Sequence, residues 1–182
     1  MSNNTDIQES LTVVVGDDLA ETGDEAIVMA LSLLASGVAG AVHVVHAHDP
    51  ASPRDRDVPG YAASWSEDRL ARALTENVLR RVRFCSLLSG IPYDARRVHV
   101  HTGRGSAPDV LLRSCAELEA GLLVVGSARR QGVRRLLRGS VAQRLARTAP
   151  CSVLIASPNA SPARTRALAA ARRSRPWPSA TA

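Results

Sequence analysis

Lysine is absent from this chain of 182 residues, and all 23 basic residues are arginine. That gap excludes several chemistries at once. A Walker A loop needs the lysine of GK[ST], a Schiff-base enzyme needs an amine, and a phospho-receiver domain ordinarily uses a lysine beside its phosphoacceptor carboxylate. Cysteine is scarce as well. Cys85, Cys115 and Cys151 are odd in number, widely spaced and share no CxxC or histidine spacing, so neither a disulfide framework nor a zinc site is expected. No run reaches ~18 apolar residues, and the opening MSNNTDIQES is polar and acidic. The sequence therefore predicts no membrane span and no signal peptide, with a reducing cytoplasm as the expected compartment.

The charge that is present lies unevenly. Arg164, Arg166, Arg172, Arg173 and Arg175 supply most of the net charge of +6, and no acid accompanies them from Ser157 onward. The first fifty residues hold eight acids and no arginine, whereas Arg129 to Arg147 span seven arginines and no acid. One end of the fold is therefore expected to be strongly positive, either as a solvated face or as a funnel for an anion. Residues 158–182, rich in Ala, Arg, Pro and Ser, lack the apolar faces that offset ordering entropy and read as a disordered tail. Such a tail offers weak, salt-sensitive attraction for nucleic acid or another acidic partner, with Trp177 its only aromatic platform. Residues 1–10 read as a flexible N-terminus, which leaves 11–157 as one folded domain.

Within that domain the apolar pattern alternates between short runs and helical stripes. Leu11 to Gly16 reads as a buried strand, followed by Asp17 and Asp18, with Asp17 expected to be a solvated turn residue. Thr22-Gly-Asp-Glu25 is a capping-box pattern, and Gly37 fits the position just past a helix, which predicts a helix over roughly Asp24 to Ser36. A second strand is predicted over Ala41 to Ala47 and a long loop over His48 to Ala63. After a possible cap at Ser64-Trp-Ser-Glu67, Leu70, Leu74, Val78, Val82, Cys85 and Leu88 recur at helical spacing until Gly90-Ile-Pro92. The remaining elements are a strand at Arg97 to His101, a helix from the Ser106-Ala-Pro-Asp109 cap to about Ala120, a strand at Leu122 to Val125, a helix at Ser140 to Thr148, and a strand at Ser152 to Ile155.

This βαβαβαβαβ order predicts a doubly wound α/β fold, a mostly parallel five-stranded sheet with helices on both faces. Ligands of such sheets bind at the C-terminal strand ends, where the strand order switches. The stretch GSARRQGVRRLLRGS, Gly126 to Ser140, leaves the fourth strand and enters the fourth helix there. Glycines permit close backbone approach, and a helix N-terminus with a serine offers donors, so the stretch is either a phosphate cradle or an ordinary connection with turn glycines. His43, His46, His48, His99 and His101 invite a metal reading, but His43 lies on the face opposite His46 and His48, and no metal is expected.

VVVGDDLAET, HVVHAHDP and LLVVGSARRQGVRRLLRGSVAQRLARTAPCSVLIA together resemble the universal stress protein family, over Leu11 to Ser157. The resemblance implies a Rossmann-like fold of the adenine nucleotide alpha hydrolase type. Nucleotide-binding members carry a glycine, two residues, a second glycine, nine residues, then glycine and Ser or Thr. Gly126, Gly139 and Ser140 stand in that register, while Arg129 occupies the place of the second glycine. Its side chain either obstructs the phosphates or pairs with one. By the same resemblance Asp18 matches an acidic residue contacting ribose or adenine, Ala47 lines the adenine pocket, and Val125 and Val141 neighbour the loop. The resemblance further implies ATP, with Mg²⁺ as a possible companion, and a homodimer through the last strand at Val153, Leu154 and Ile155. Two functions follow from it: a stress-response protein that binds an adenine nucleotide as a conformational signal, or a nucleotide-free interaction module of the same fold, altered at Arg129. With no GxSxG elbow, no Cys–His pair and no spaced carboxylate pair, no enzyme is expected, slow ATP hydrolysis apart.

Overall fold

Five short apolar runs become five parallel strands. In the computed structural model, which describes residues 11–48, 64–127 and 141–157, they are β1 (Leu11–Asp17), β2 (Ala39–His48), β3 (Val98–Arg104), β4 (Leu122–Gly126) and β5 (Ser152–Ala156). Four helices alternate with them: α1 (Glu21–Ala35), α2 (Glu67–Ser89), α3 (Ala107–Glu117) and α4 (Val141–Thr148). The sheet order is β3-β2-β1-β4-β5 and every neighbouring pair is parallel. This is the doubly wound architecture expected from the element order.

Successive strand residues feed opposite layers. Val13, Val15, Val42, Val44 and Val124 face α1 and α2, whereas Val14, Val45, Leu123 and Val125 face α3 and α4. Val13, Val14 and Val15 are fully buried, so β1 supplies apolar side chains to both layers, as a central parallel strand must. The helix ends use local chemistry. Gly37 and Gly90 take positive φ and let Val38 and Ile91 donate back to Leu33 and Ser86 across the last turns of α1 and α2. Ser66 and Ser106 cap α2 and α3 by accepting from the N–H groups of Arg69 and Asp109.

Several boundaries differ from the sequence reading; β2 runs from Ala39 to His48, and β3 runs on to Arg104. Helix α1 starts at Glu21, with Ala20 as an N-cap that has no side chain to offer, so Thr22 and Glu25 do not form the expected capping box. The cap comes instead from Asp18, outside the helix. Helix α3 ends at Glu117, and Arg97 belongs to the short 3₁₀ turn Ala95–Arg97, where its guanidinium donates to the carbonyls of Ala39 and Gly40.

Candidate functional site

Strand order reverses between β1 and β4, because β2 and β3 extend the sheet on one side and β4 and β5 on the other. The connections from these two central strands leave in opposite directions and open a crevice at their C-terminal ends. Asp18 follows β1, Gly126 ends β4, and Ala47 lies one step beyond the register pair Asp17–His46 on β2. Val125 is buried against α3 and α4, and Val141, the first residue of α4, is exposed. The fold thus gathers Asp18, Ala47, Val125 and Gly126 at one end of the sheet. Arg129, Gly139 and Ser140 lie outside the described residues, as do the loop 49–63 and the terminal segments 1–10 and 158–182.

Two of the gathered residues have local duties. A Cβ on Gly126 would stand 2.0 Å from the carbonyl oxygen of Thr22, so the first turn of α1 rests directly on the end of β4 and only glycine fits. Asp18 is exposed, and its carboxylate organises that turn: Oδ1 accepts from the N–H groups of Ala20 and Gly23, both at 3.0 Å, and Oδ2 accepts from the Thr22 hydroxyl. A carboxylate has about four acceptor positions. Three are filled, which leaves one on Oδ2 for a further donor at the crevice.

Beneath this turn lies a buried charge cluster that sequence reasoning missed. Asp17, expected in solvent, is only 5% exposed. Its Oδ1 lies 3.5 Å from Nε of Arg81, whose Nη2 reaches Oδ1 of Asp24 at 2.5 Å and the carbonyl of Ala20 at 2.6 Å. Burial pushes the Asp17 carboxyl above its ordinary value against the opposing pull of Arg81 and His46. The His46 ring donates from Nδ1 to the Asp17 carbonyl at 2.9 Å. Gly23 completes the fit, because a Cβ there would stand 2.2 Å from Asp17 Oδ1. The signal was present in the stripe of α2: Arg81 falls between Val78 and Cys85 at core spacing, where a guanidinium requires an acidic partner.

The histidines divide by face as the alternation predicts, but the register adds a cluster. His43 pairs with His99 across β2 and β3, and His101 lies two residues further along the same face. The rings stack at 4.9 and 5.1 Å between centroids, and His43 Nδ1 lies 2.9 Å from His101 Nε2. Burial, with the two neighbouring rings, pushes His43 down to about 4. Among the described residues no group of three or more His, Cys, Asp or Glu is arranged to hold a metal ion. A cavity of about 170 Å³ opens beside His101 between the sheet and α3, lined also by Val45, Gly103, Val110, Arg113 and Glu117. None of the expected site residues that are described lines it, although Gly103 is the register partner of Ala47.

The profile of the universal stress protein family matches residues 10–157. This chain belongs to that family. Similar solved structures share its fold across most of its length. A universal stress protein crystallised in complex with cAMP is 24% identical, with a TM-score of 0.56 over 81% of this chain and 97% of that one. The universal stress protein UspA from Lactobacillus plantarum is 16% identical, with a TM-score of 0.54 over 80% and 97%. A universal stress protein family member from Burkholderia pseudomallei is 22% identical, with a TM-score of 0.51 over 81% and 96%. This universal stress protein places Asp18, Ala47, Val125 and Gly126 at the C-terminal strand ends beside its own strand-order reversal. No helix among the described residues is long and apolar enough to cross a membrane.

Proposed function

We propose that this protein binds an adenine nucleotide, ATP with Mg²⁺ as its counter-ion, at the β1–β4 crevice and uses occupancy as a conformational signal in a stress response. The observation that carries the reading is the convergence of Asp18, Ala47 and Gly126 at the strand-order reversal of a universal stress protein fold. The open acceptor position on Asp18 Oδ2 suits a ribose hydroxyl, and Ala47 and Val125 offer small apolar walls for a base and sugar. Gly139, Ser140 and Val141 would hold phosphates at the entry to α4, with Arg129 pairing one of them. A relative of the same fold was crystallised with cAMP, which supports an adenine ligand as the class. The role is binding rather than turnover, and the active form is a homodimer joined through Val153, Leu154 and Ile155 of the edge strand β5.

A second reading is favoured by a separate observation. Thr22 packing alone accounts for Gly126, and capping accounts for three of the four acceptor positions of Asp18. A nucleotide-free interaction module would need the same residues. Titration calorimetry with ATP, with and without Mg²⁺, separates the two on wild type, Arg129→Gly and Gly139→Glu. Saturable binding by wild type, lost in Gly139→Glu, is expected. Binding that appears only in Arg129→Gly would overturn the first reading in favour of the second.

A further inference from the structure

Cys115 and Cys151 meet at the end of the sheet opposite the crevice. Cys115 lies in the last turn of α3, and its carbonyl accepts from the Ala120 N–H as the chain turns toward β4. Cys151 immediately precedes β5. Because β4 and β5 are parallel and Leu122 pairs with Ser152, the two strands start side by side. The segments entering them bring both cysteines into the apolar layer beneath α3 and α4. Both side chains belong to that one layer, Cys115 buried in it and Cys151 half-buried against it, and Cys151 is the neighbour that acts on the Cys115 thiol. Cys85 is buried among the residues of α1 and α2 on the other side of the sheet, so it cannot join them.

We propose that Cys115 and Cys151 are a peroxide-responsive dithiol, which closes to a disulfide clasping α3 to the entry of β5. The half-buried Cys151 meets peroxide first. Its sulfur attacks the O–O bond; the S–O bond forms, and the departing hydroxide takes the thiol proton as water. The Cys115 sulfur then attacks the Cys151 sulfur, forming S–S and breaking S–O, and the Cys115 proton leaves with the hydroxyl as a second water. Two thiols and one hydrogen peroxide give one disulfide and two waters, the sulfurs losing two electrons to the peroxide. Burial, reinforced by Cys151 beside it, pushes the Cys115 thiol up to about 12, which suits the resolving partner rather than the residue first oxidised. Placement of both thiols in one layer makes the second step intramolecular and compensates for that weak acidity. The bridge would close a loop over residues 115–151, which contains β4, α4 and the arginine-rich segment between them. This inference holds whether or not a nucleotide binds.

The test uses the full chain, reduced, then exposed to hydrogen peroxide, alkylated and digested without reductant. The expected product is a Cys115–Cys151 peptide within one chain, with an intact mass lower by about 2 Da and restored by dithiothreitol. It forms equally in Cys85→Ser. In Cys115→Ser, Cys151 accumulates as a sulfenic acid captured by a dimedone-type probe, whereas wild type shows that adduct only transiently. The proposal is overturned if Cys151 passes to sulfinic or sulfonic acid while Cys115 stays a thiol. It is equally overturned if the disulfide joins two chains or if both thiols survive. Wild type and Cys85→Ser decide the matter without relying on the folding of Cys115→Ser.

Discussion

Replacing Arg81 by Met removes the positive charge between two carboxylates whose side chains are 0% and 5% exposed, while keeping most of the apolar stem that packs in α2. The substitution also ends the donation to the Ala20 carbonyl. Breaking a buried ion pair from one side costs about 3–5 kcal/mol, because the remaining charge stays in a poorly solvating interior. At about 2–4 °C per kcal/mol for a chain of this size, the melting temperature should fall by roughly 6–20 °C. The deficit should depend on pH with a definite sign. The Asp17 carboxyl, already raised by burial, loses the opposing pull of Arg81 and rises further above its unfolded value, so protonation relieves the variant and its deficit shrinks as pH falls from 7 toward 4. Urea denaturation of wild type and Arg81→Met at both pH values measures this. The triple variant Asp17→Asn, Asp24→Asn, Arg81→Met should recover most of the loss. A deficit under about 1 kcal/mol at pH 7, or one that does not change with pH, would refute the argument that this cluster holds the β1–α1 turn.

Gly126→Ala should destabilise by about 1–3 kcal/mol, since its Cβ meets the Thr22 backbone, whereas Gly16→Ala, facing the flexible end of Leu111 at 3.0 Å, should cost less; equal urea midpoints for the two would contradict the packing. Asp18→Ala should lose on the order of 1 kcal/mol of helix capping, and Asp18→Asn most of it less, while both weaken any ATP binding seen by calorimetry; unchanged affinity in both would detach Asp18 from the ligand. Glu25 and His43 should give opposing pH slopes. Burial, then Glu21 and Asp24, pushes Glu25 from 4.5 up to about 7, so its contribution is full below pH 4.5 and lost as pH rises through 7. His43, lowered from 6.5 to about 4, contributes fully above pH 6.5 and loses that contribution as pH falls through 4. Both groups are partly exposed, so each slope amounts to about 1 kcal/mol after screening. Relative to wild type, Glu25→Gln should make stability rise more with pH between 4.5 and 6.5, and His43→Gln should make it rise less; changes of one sign in both variants would defeat the assignment.

The architecture was legible because buried parallel strands write themselves as short apolar runs, and the stops at Gly37 and Gly90 and the start at Ser106 have local causes. What escaped was long-range. Asp17 and Asp18 are identical in type and adjacent, yet one is buried on Arg81 and the other caps α1 from the surface. Nothing local separates them, since the distinction depends on Arg81, more than sixty residues away along the chain. The mistaken start of α1 has a local origin instead: Thr22 and Glu25 form a capping pattern, but the carboxylate of Asp18, five residues before Gly23, already meets the Gly23 N–H. The histidine stack depends on which residue of β3 lies opposite His43, a register that periodicity alone leaves undetermined. Of the candidate site, Asp18, Ala47, Val125 and Gly126 gather as the strand-end rule requires; Val141 is placed at the start of α4.

Arg81 has a mechanical consequence. One guanidinium grips the end of β1, the turn and the first turn of α1 from α2, so those four pieces travel as a single body. Any displacement of that turn by a ligand must drag the whole α1–α2 layer or break the grip. The opposite layer has no such lock among the described residues: α3 and α4 are joined by the exposed Asp109–Arg144 pair, and an ion pair in solvent yields at little cost. A ligand in the crevice would therefore meet a stiff wall on one side and a compliant one on the other, and the compliant wall is the layer that holds Cys115 and Cys151.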